Sequence, residues 1–294
     1  KTFKQWLRPL FRCNPLRDNG SNYEETKTIH QSKPMIDVNI NVFNKPYQTI
    51  ATIHSLLQVS GKHIDKIYIN FEAGSTGIEI VKNYVDAIYS QSKEIAWNNY
   101  SDEMDIRYQY GLVHSDKKHV FVSHNDVLYQ KDIVGAMLEK IADNAGIGLI
   151  GQCWNCPLFY ADVCDGKRFS DNNITDEEFK RYLQLYPQPR LKDEHINGFP
   201  FPECRLNEFA CLVDRKIALL ADSQFGLANG NDTAQAWFVE LYKKGYTFRH
   251  FNINNYCEHG YWAGDAGYPT SLNKYKYDRA EEQAKESLLE WGVL

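Results

Sequence analysis

The chain has 294 residues, of which 43% are hydrophobic, and a formal net charge of -5 at pH 7. A chain of this length and apolar content can bury a sizeable core, so we expect one large α/β domain or two small ones. The acidic balance argues against a nucleic-acid partner, because proteins of that class normally present a strongly basic surface.

Membrane insertion and disulfide bonding are not expected. No run of about twenty apolar residues occurs, and no secretory signal pattern precedes the predicted fold, so we expect neither a membrane span nor a signal peptide. The seven cysteines are too few for a dense disulfide framework, and their number is odd. We therefore expect a reduced, cytoplasmic protein.

Residues 1–33 are predicted to form a basic amphipathic segment followed by a polar linker. Helical spacing would place the aromatic and leucine side chains of residues 3–11 largely on one side, with lysine and arginine between them. A helix of this kind can lie in an anionic membrane surface, which would make the protein peripheral to a membrane. It can equally pack on the protein's own body, and the sequence leaves both interpretations open.

Strands and helices alternate through most of the remaining chain. Apolar, β-prone runs predict strands at 36–43, 66–71, 120–123, 146–151 and 248–253, and an apolar strand followed by a short helix is predicted within 210–220. Helical periodicity predicts helices that begin at Pro46 and that cover 80–88, 102–115, 133–141, 234–241 and 278–291. This alternation predicts an α/β fold with a mixed, mainly parallel sheet flanked by helices.

The same periodicity predicts the buried face of each helix. The expected inward residues are Ile50, Ile53 and Leu57, then Ile80, Tyr84 and Ile88, then Ile106, Tyr110 and Val113, then Ile133, Met137 and Ile141, then Ala234, Trp237, Phe238 and Leu241, and finally Ala280, Ala284 and Leu288.

The segment 120–128 is the most informative stretch of the chain. Four β-prone residues end abruptly in His124, Asn125 and Asp126, as expected for a buried strand that delivers polar groups to the carboxyl edge of a sheet. A carboxylate at that edge can hold a divalent cation, because hard cations take oxygen ligands. Asp126 could equally cap the following helix. His124 could donate to a ribose or phosphate, or serve as a structural hydrogen-bonding group.

Residues 151–205 interrupt the alternation and are predicted to form an inserted, cysteine-containing subdomain. Cys153 and Cys156 have the two-residue gap that lets both thiolates face one Zn²⁺, and Cys164 and Cys204 could complete a structural zinc site. Buried free thiols or a disulfide are the alternatives.

Three motifs together resemble the family 2 inverting glycosyltransferases, which have the GT-A fold. They are Asn44-Lys45-Pro46 after the first strand, the turn 72–76 after the second strand, and the segment 124–126. In that family, a turn similar to Asp-Asp-Gly-Ser-Thr contacts the nucleotide base, and an Asp-X-Asp motif holds the metal and the nucleotide. Here Glu72 and Ala73 replace the two acids of the turn, and His124 replaces the first Asp of the second motif.

The resemblance implies a domain organisation and a donor site. It implies a GT-A domain over 34–264, which includes the insertion, and a C-terminal helical extension over 265–294. Asp126, with His259 after the last strand, would hold a divalent cation, either Mn²⁺ or Mg²⁺. Imidazole suits Mn²⁺ better than Mg²⁺, but the sequence does not choose between them. The residues implied to bind the nucleotide sugar are Asn44, Glu72, Ser75, Arg107, His124 and Asn125.

Residues 226–246 resemble the family's acidic pair at a helix start, followed by a helix that ends in Lys243-Lys244-Gly245-Tyr246. The resemblance implies that Asp232 is the general base, which takes the proton of the acceptor hydroxyl as it attacks the anomeric carbon. Asn231 stands in place of the other acid. Asp232 could instead cap the helix, and one residue can do both.

We therefore expect an enzyme that transfers a sugar from a nucleotide sugar to a hydroxyl with inversion. The expected acceptor is a glycan or lipid-linked glycan of the cell envelope. One alternative is a degenerate, non-catalytic module on the same fold that binds glycans or a partner, because the first Asp of the metal motif is missing. Another is a nucleotidyltransferase, although residues 41–46 lack the glycine- and lysine-rich phosphate loop that would favour it.

Overall fold

A computed structural model describes residues 35–89, 92–99, 106–151, 205–226, 233–260 and 274–294. All of these residues belong to one compact unit, Pro34–Leu294. The predicted amphipathic segment 1–33 and nearly all of the predicted insertion 151–205 lie outside the described residues. No helix among the described residues is long and apolar enough to cross a membrane.

The described residues form nine strands, seven α-helices and two single-turn 3₁₀ helices. The strands are β1 (Ile36–Val42), β2 (Ile64–Phe71), β3 (Glu94–Asn99), β4 (His119–Ser123), β5 (Val127–Tyr129), β6 (Gly146–Ile150), β7 (Leu206–Asp214), β8 (Phe248–His250) and β9 (Cys257–His259). The α-helices are α1 (Pro46–Ser60), α2 (Ile78–Tyr89), α3 (Ile106–His114), α4 (Ile133–Leu138), α5 (Arg215–Ala218), α6 (Gln235–Lys243) and α7 (Lys274–Glu290). The 3₁₀ helices are Gly61–His63 and Ile253–Asn255.

Seven strands form one sheet in the order β3-β2-β1-β4-β7-β6-β8, and β5 pairs with β9 in a separate ribbon. Strand β1 runs parallel to β2 and β4, β2 to β3, and β6 to β8. Strand β7 is antiparallel to both of its neighbours, β4 and β6. The predicted α/β class, a mixed, mainly parallel sheet flanked by helices, is therefore confirmed.

The central strands are buried on both faces, because helices cover both sides of the sheet. Every residue of β1, β4 and β7 is buried, as expected for strands in the interior of an α/β sheet. Alternate residues of β4 enter different cores: Phe121 packs with the side chains of α1, α2, α4 and α7, whereas Val120 and Val122 pack with those of α3 and α6. The burial of each such side chain is worth about 1.5–3 kcal/mol, so the two cores hold β4 in place.

The inward residues predicted for α4, α6 and α7 are all almost completely buried. Helix α4 ends at Leu138 rather than at the predicted 141, and Ala234 directly precedes α6, so Ile141 and Ala234 are buried just outside these helices. In α1, Ile50 and Ile53 are fully buried, and Leu57 packs at the edge of the same core. Pro46 occupies the first turn of α1, where its missing N–H costs nothing.

The faces predicted for α2 and α3 are wrong in part. In α2, Tyr84 is buried as predicted, but Ile80 and Ile88 are 41% and 52% exposed, whereas Val81 and Val85 are buried. Val113 is likewise 50% exposed, next to a buried leucine in the sequence. Both rows of apolar residues in α2 satisfy a 3.6-residue period, so the choice between them was made by packing against the sheet rather than by periodicity.

Strands β3, β5 and β9 were not predicted. The sequence of β3, Glu-Ile-Ala-Trp-Asn-Asn, lacks a continuous apolar run, because β3 is an edge strand that pairs only with β2 within the described sheet. Strands β5 and β9 have three residues each, too few to show a period. Strand β8 ends at His250 rather than at the predicted 253, and α3 runs over Ile106–His114 within the predicted 102–115.

The C-terminal helix closes the N-terminus of α1. The Glu281 carboxylate accepts hydrogen bonds from the backbone N–H groups of Tyr47 and Gln48, at 3.0 and 3.2 Å. These N–H groups have no partner within α1, and the helix dipole favours a negative charge there. Burial nevertheless raises the pKa of Glu281, although the N–H donors act in the opposite direction. Helix α7 is thereby attached to the same end of α1 that faces the carboxyl edge of the sheet.

A second carboxylate, Asp132, joins the start of α4 to the end of α1. It caps α4 by accepting from the Gly135 N–H at 2.9 Å, and it also accepts from the Ser60 hydroxyl at 2.9 Å. Lys62 and His63 lie 2.8 and 3.1 Å from the same carboxylate. Burial alone would raise the pKa of Asp132, but Lys62 and the hydrogen-bond donors outweigh it and lower the pKa to about 2.

We expect Asp132→Asn to lower the free energy of unfolding at pH 7 by about 1–2 kcal/mol, because the folded state prefers the ionised carboxylate and the partly exposed Lys62 contributes little. The folded pKa is depressed, so this stabilisation is complete above the unfolded pKa of 3.8 and disappears as the pH falls towards about 2. Urea unfolding of the two proteins between pH 7 and pH 2 measures the difference.

Asp143→Asn, which replaces an exposed carboxylate in the turn after α4, is the matched control. It should change stability little at any pH. A constant difference between wild type and Asp132→Asn across this pH range would show that the carboxylate acts through its shape and not its charge.

Candidate functional site

The candidate site lies where the strand order reverses. From β1 the chain adds β2 and β3 on one side and then β4 on the other, so the connections that leave β1 and β4 diverge. Ligands of α/β sheets bind in the crevice that such a switch point opens at the carboxyl ends of the strands. Lys45 follows β1 and Asp126 follows β4, and their Nζ and Oδ2 atoms are 2.7 Å apart across this crevice.

Two imidazoles and one carboxylate converge at this point. His259 Nε2 lies 3.3 Å from His124 Nδ1 and 3.3 Å from Asp126 Oδ1. His124 Nδ1 lies 4.0 Å from the same carboxylate oxygen. The three side chains come from two distant parts of the sequence, and the fold brings one ligand atom of each to one place.

Backbone pairing, rather than loop conformation, positions the three side chains. The His124 N–H donates to the Phe209 carbonyl at 3.1 Å and so continues the ladder between β4 and β7 by one residue. His259 is paired with Val127 in the ribbon of β5 and β9. The Gly260 N–H donates to the Asp126 carbonyl at 2.9 Å, which closes that ribbon next to the cluster.

Aromatic and acidic neighbours set the orientation of the two imidazoles. The Phe209 ring stacks on His259 with centroids 4.3 Å apart and planes 7° apart. The Tyr108 hydroxyl lies 3.4 Å and Glu208 Oε1 lies 3.6 Å from His124 Nε2. These groups face Nε2, so His124 presents its other nitrogen, Nδ1, to the cluster. Neighbours of this kind commonly select the tautomer of a metal-binding histidine.

Glu208 belongs to a buried ionic network behind His124. Its Oε2 pairs with Nη2 of the fully buried Arg205 at 3.4 Å. Burial alone would raise the pKa of Glu208, but the positive charge of Arg205 and the contact with His124 lower it to about 2. Arg205 Nε also donates to the Thr233 carbonyl at 2.6 Å. The network therefore links His124 to the residue that directly follows Asp232 in the sequence.

Asp126 is an ionised carboxylate in a largely buried position, with its side chain 13% exposed. Burial would raise its pKa, but the hydrogen-bonding contact with His259 and the positive charge of Lys45 outweigh this effect and hold the pKa well below its usual range. Oδ2 is engaged by Lys45, whereas Oδ1 has no hydrogen bond of normal geometry. The unsatisfied oxygen is the one that points at the imidazoles.

The donor set fits a divalent cation. Ligand atoms about 2.1 Å from a common cation lie about 3.0–3.4 Å from each other, and two of the three separations in the cluster are 3.3 Å. The buried, unsatisfied Asp126 Oδ1 is an oxygen that a cation would satisfy. Two imidazoles with one carboxylate favour Mn²⁺ or another transition metal over Mg²⁺.

Three of the residues predicted to bind the donor hold loops together at this edge. Asn44 Oδ1 accepts from the N–H and hydroxyl of Thr76 at 2.8 and 3.0 Å. Asn125 Nδ2 donates to the Asn44 carbonyl at 3.1 Å and to the Thr49 hydroxyl at 2.9 Å. The Ser75 hydroxyl donates to a backbone carbonyl of β1 at 3.1 Å. These polar groups join the loops after β1, β2 and β4.

The remaining predicted site residues fall into two groups. Glu72 follows β2, and its N–H donates to the Val42 carbonyl at 2.9 Å, so it lies at the same sheet edge. Arg107 belongs to α3, one residue before Tyr108. Asp232 and the four cysteines of the predicted zinc site, Cys153, Cys156, Cys164 and Cys204, lie outside the described residues.

Two residues of the site were not singled out from the sequence. Lys45 stands in the Asn-Lys-Pro motif that carries part of the resemblance, but no role was predicted for its side chain. Glu208 is the acidic residue inside the buried strand β7, Leu206–Asp214. An ionisable group in an otherwise apolar strand requires a buried partner, and that was the available signal for Glu208.

No protein-family model and no curated protein sequence matches the chain. Many solved structures show similarity to it, including a mannosyltransferase and TarS. A mannosyltransferase from Pyrobaculum calidifontis in complex with GDP-Man and Mn²⁺ aligns over 74% of this chain and 55% of its own, with 10% identity and a TM-score of 0.49. TarS from S. aureus aligns over 76% of this chain and 59% of its own, with 12% identity and a TM-score of 0.45. The chain thus spans a little over half the length of each of these proteins.

Proposed function

We propose that this protein is a glycosyltransferase that moves a sugar from a nucleotide-sugar donor to a hydroxyl group, with inversion and with the help of a divalent cation. The observation that carries the proposal is the cluster of His124, Asp126 and His259 at the switch point of a mainly parallel sheet. Residues of the motifs at 44–46, 72–76 and 124–126, which resemble motifs of family 2 glycosyltransferases, lie at the same edge.

The chemistry of sugar transfer explains why such a cluster would be useful. The leaving group is a nucleoside diphosphate, and a divalent cation bound there would neutralise the charge that develops as the glycosidic bond breaks. Asp126, His124 and His259 would hold this cation through Oδ1, Nδ1 and Nε2. Glu208 and Tyr108 would keep His124 in the tautomer that offers Nδ1.

The remaining roles follow the order of the loops at the edge. Glu72, after β2, would read the nucleotide base. Asn44, Ser75 and Asn125 would keep the loops around the donor in position, while Arg107 on α3 would contact it. Asp232 would accept the proton of the acceptor hydroxyl, which attacks the anomeric carbon from the face opposite the leaving diphosphate. A glycan or a lipid-linked glycan is the proposed acceptor.

His259→Ala should weaken Mn²⁺ binding at least tenfold and reduce sugar transfer by a similar factor, because it removes one of three ligands. The side chain is 39% exposed, so its loss should leave the fold intact. Mn²⁺ affinity is measured by electron paramagnetic resonance of the free ion during titration. His114→Ala, which removes an exposed histidine from α3, is the matched control and should bind Mn²⁺ as the wild type does. Equal Mn²⁺ affinity in all three proteins would contradict the proposed metal site.

Asp232→Asn should reduce sugar transfer by about 10²–10⁴-fold, the usual contribution of a general base, while the affinity for the donor stays close to that of wild type. Release of free nucleotide from a panel of nucleotide sugars with Mn²⁺ first identifies the donor, and transfer to glycan acceptors is then measured for both proteins. Asp222→Asn, whose carboxylate is 99% exposed, is the control. Undiminished transfer by a folded Asp232→Asn protein would reject Asp232 as the base.

The same panel, together with an assay for pyrophosphate release from nucleoside triphosphates and sugar phosphates, tests the alternatives. A non-catalytic binding module would release no nucleotide from any donor, although it could still bind glycans. A nucleotidyltransferase would form nucleotide sugars from nucleoside triphosphates and sugar phosphates, releasing pyrophosphate. Either result would replace the proposed activity.

A further inference from the structure

The turn that carries Lys45 is held in an unfavourable backbone conformation. Asn44 and Lys45 have φ values of 52° and 54°, in the left-handed region that non-glycine residues rarely adopt. Each such residue costs about 1–3 kcal/mol and persists only where the surroundings enforce it. The hydrogen bonds from Thr76 and Asn125 to Asn44 supply that enforcement. The result is that Lys45 points across the crevice at Asp126.

The ammonium of Lys45 is a built-in counter-ion for Asp126. Its side chain is only 12% exposed, and Nζ lies 2.7 Å from Asp126 Oδ2 and 5.4 Å from the centre of the Tyr277 ring. It engages one carboxylate oxygen and leaves the other directed at the two histidines. A buried carboxylate without such a partner would be strongly destabilising.

The ammonium that stabilises Asp126 must also oppose a cation at the same carboxylate. Two positive charges a few ångströms apart in a partly buried site repel by several kcal/mol, even at an effective dielectric constant of about 20. Cation binding is therefore weakened for as long as Lys45 remains on Asp126. An anion that draws the ammonium away would remove this repulsion.

The first N–H groups of α1 are not free to bind the phosphates of a diphosphate. Helix N-termini commonly bind phosphate, but the first N–H groups of α1 already donate to Glu281. Among the lysine and arginine residues that the structure describes, Lys45 forms an ion pair with Asp126. Its ammonium is therefore a positive group available beside the cation cluster.

We propose that Lys45 couples the binding of the diphosphate to the binding of the cation. In the free protein, Lys45 neutralises Asp126 and lowers its affinity for the cation. When a nucleoside diphosphate group is present, the ammonium pairs with its phosphate oxygens, and Asp126 becomes available to the cation. Coupling of this kind is reciprocal, so each ligand strengthens the binding of the other. The inference rests on the proposed function and assigns Lys45 as a residue that positions Asp126 and binds the diphosphate.

The test compares Lys45→Met, which keeps the length and apolar stem, with Lys45→Arg and wild type. Mn²⁺ is titrated alone, and UDP and GDP are titrated separately without metal. Lys45→Met should bind Mn²⁺ at least tenfold more tightly and the nucleoside diphosphates at least tenfold more weakly. Lys45→Arg should resemble wild type in both titrations. A purely structural role for Lys45 would not move the two affinities in opposite directions.

Lys62→Met is the matched control, because Lys62 pairs with Asp132 at 2.8 Å, away from the histidine cluster. It removes one positive charge from another Lys–Asp pair and should alter neither affinity. Thermal unfolding provides an independent measurement of the same effect. The midpoint of metal-free Lys45→Met should fall by several degrees, and Mn²⁺ should restore it, because the cation then takes the place of the ammonium.

The outcomes separate this inference from the proposed function. If wild type binds Mn²⁺ and a nucleoside diphosphate but Lys45→Met binds both with unchanged affinity, the coupling role is wrong and the proposed function stands. If Lys45→Met weakens the binding of Mn²⁺ and of the nucleoside diphosphate alike, Lys45 supports the fold of the site, and the inference is also overturned. If neither protein binds Mn²⁺ or a nucleoside diphosphate, both proposals fail together.

Discussion

A carboxylate that is buried and ionised costs several kcal/mol in lost hydration unless positive charge lies beside it. Asp126 is such a group, and the loops at the carboxyl edge of the sheet are arranged around it. Lys45 reaches it from a turn in which two consecutive residues adopt left-handed backbone conformations. His259 reaches it because a three-residue strand pairs with β5. The strained turn at Asn44 and Lys45 thus places a positive charge beside the carboxylate of Asp126 in the crevice.

The support for this charge extends well beyond the groups that touch it. His124 is held from behind by Glu208, and Glu208 is held in turn by Arg205, which has no exposed surface. Each link is a buried polar group that would destabilise the fold if its partner were removed. The contacts that satisfy these buried polar groups therefore also orient the imidazole of His124. Stability and the geometry of the candidate site depend on one set of contacts.

The sequence predicted the parts of the structure that repeat and missed the parts that depend on a distant partner. The α/β class and the buried faces of α4, α6 and α7 follow from periodicity, because apolar side chains recur at intervals that only one packing satisfies. In α2, two rows of apolar residues fit the helical period, and packing against the sheet determines that Val81 and Val85 are buried. Strand β3 was missed because an edge strand needs no apolar run. Lys45 was missed because its role depends on a carboxylate 81 residues away.

The connection from β6 to β7 begins and ends at neighbouring positions of the sheet. Residue 150 of β6 pairs with residue 206 of β7, and the Gly151 N–H donates to the Arg205 carbonyl at 2.9 Å. The chain therefore leaves the sheet and re-enters it at adjacent rungs of one antiparallel ladder. The pairing of β6 with β7 at these rungs does not depend on how many residues lie between them. A change in the number of residues between 151 and 205 therefore leaves the hydrogen bonds of this ladder in place.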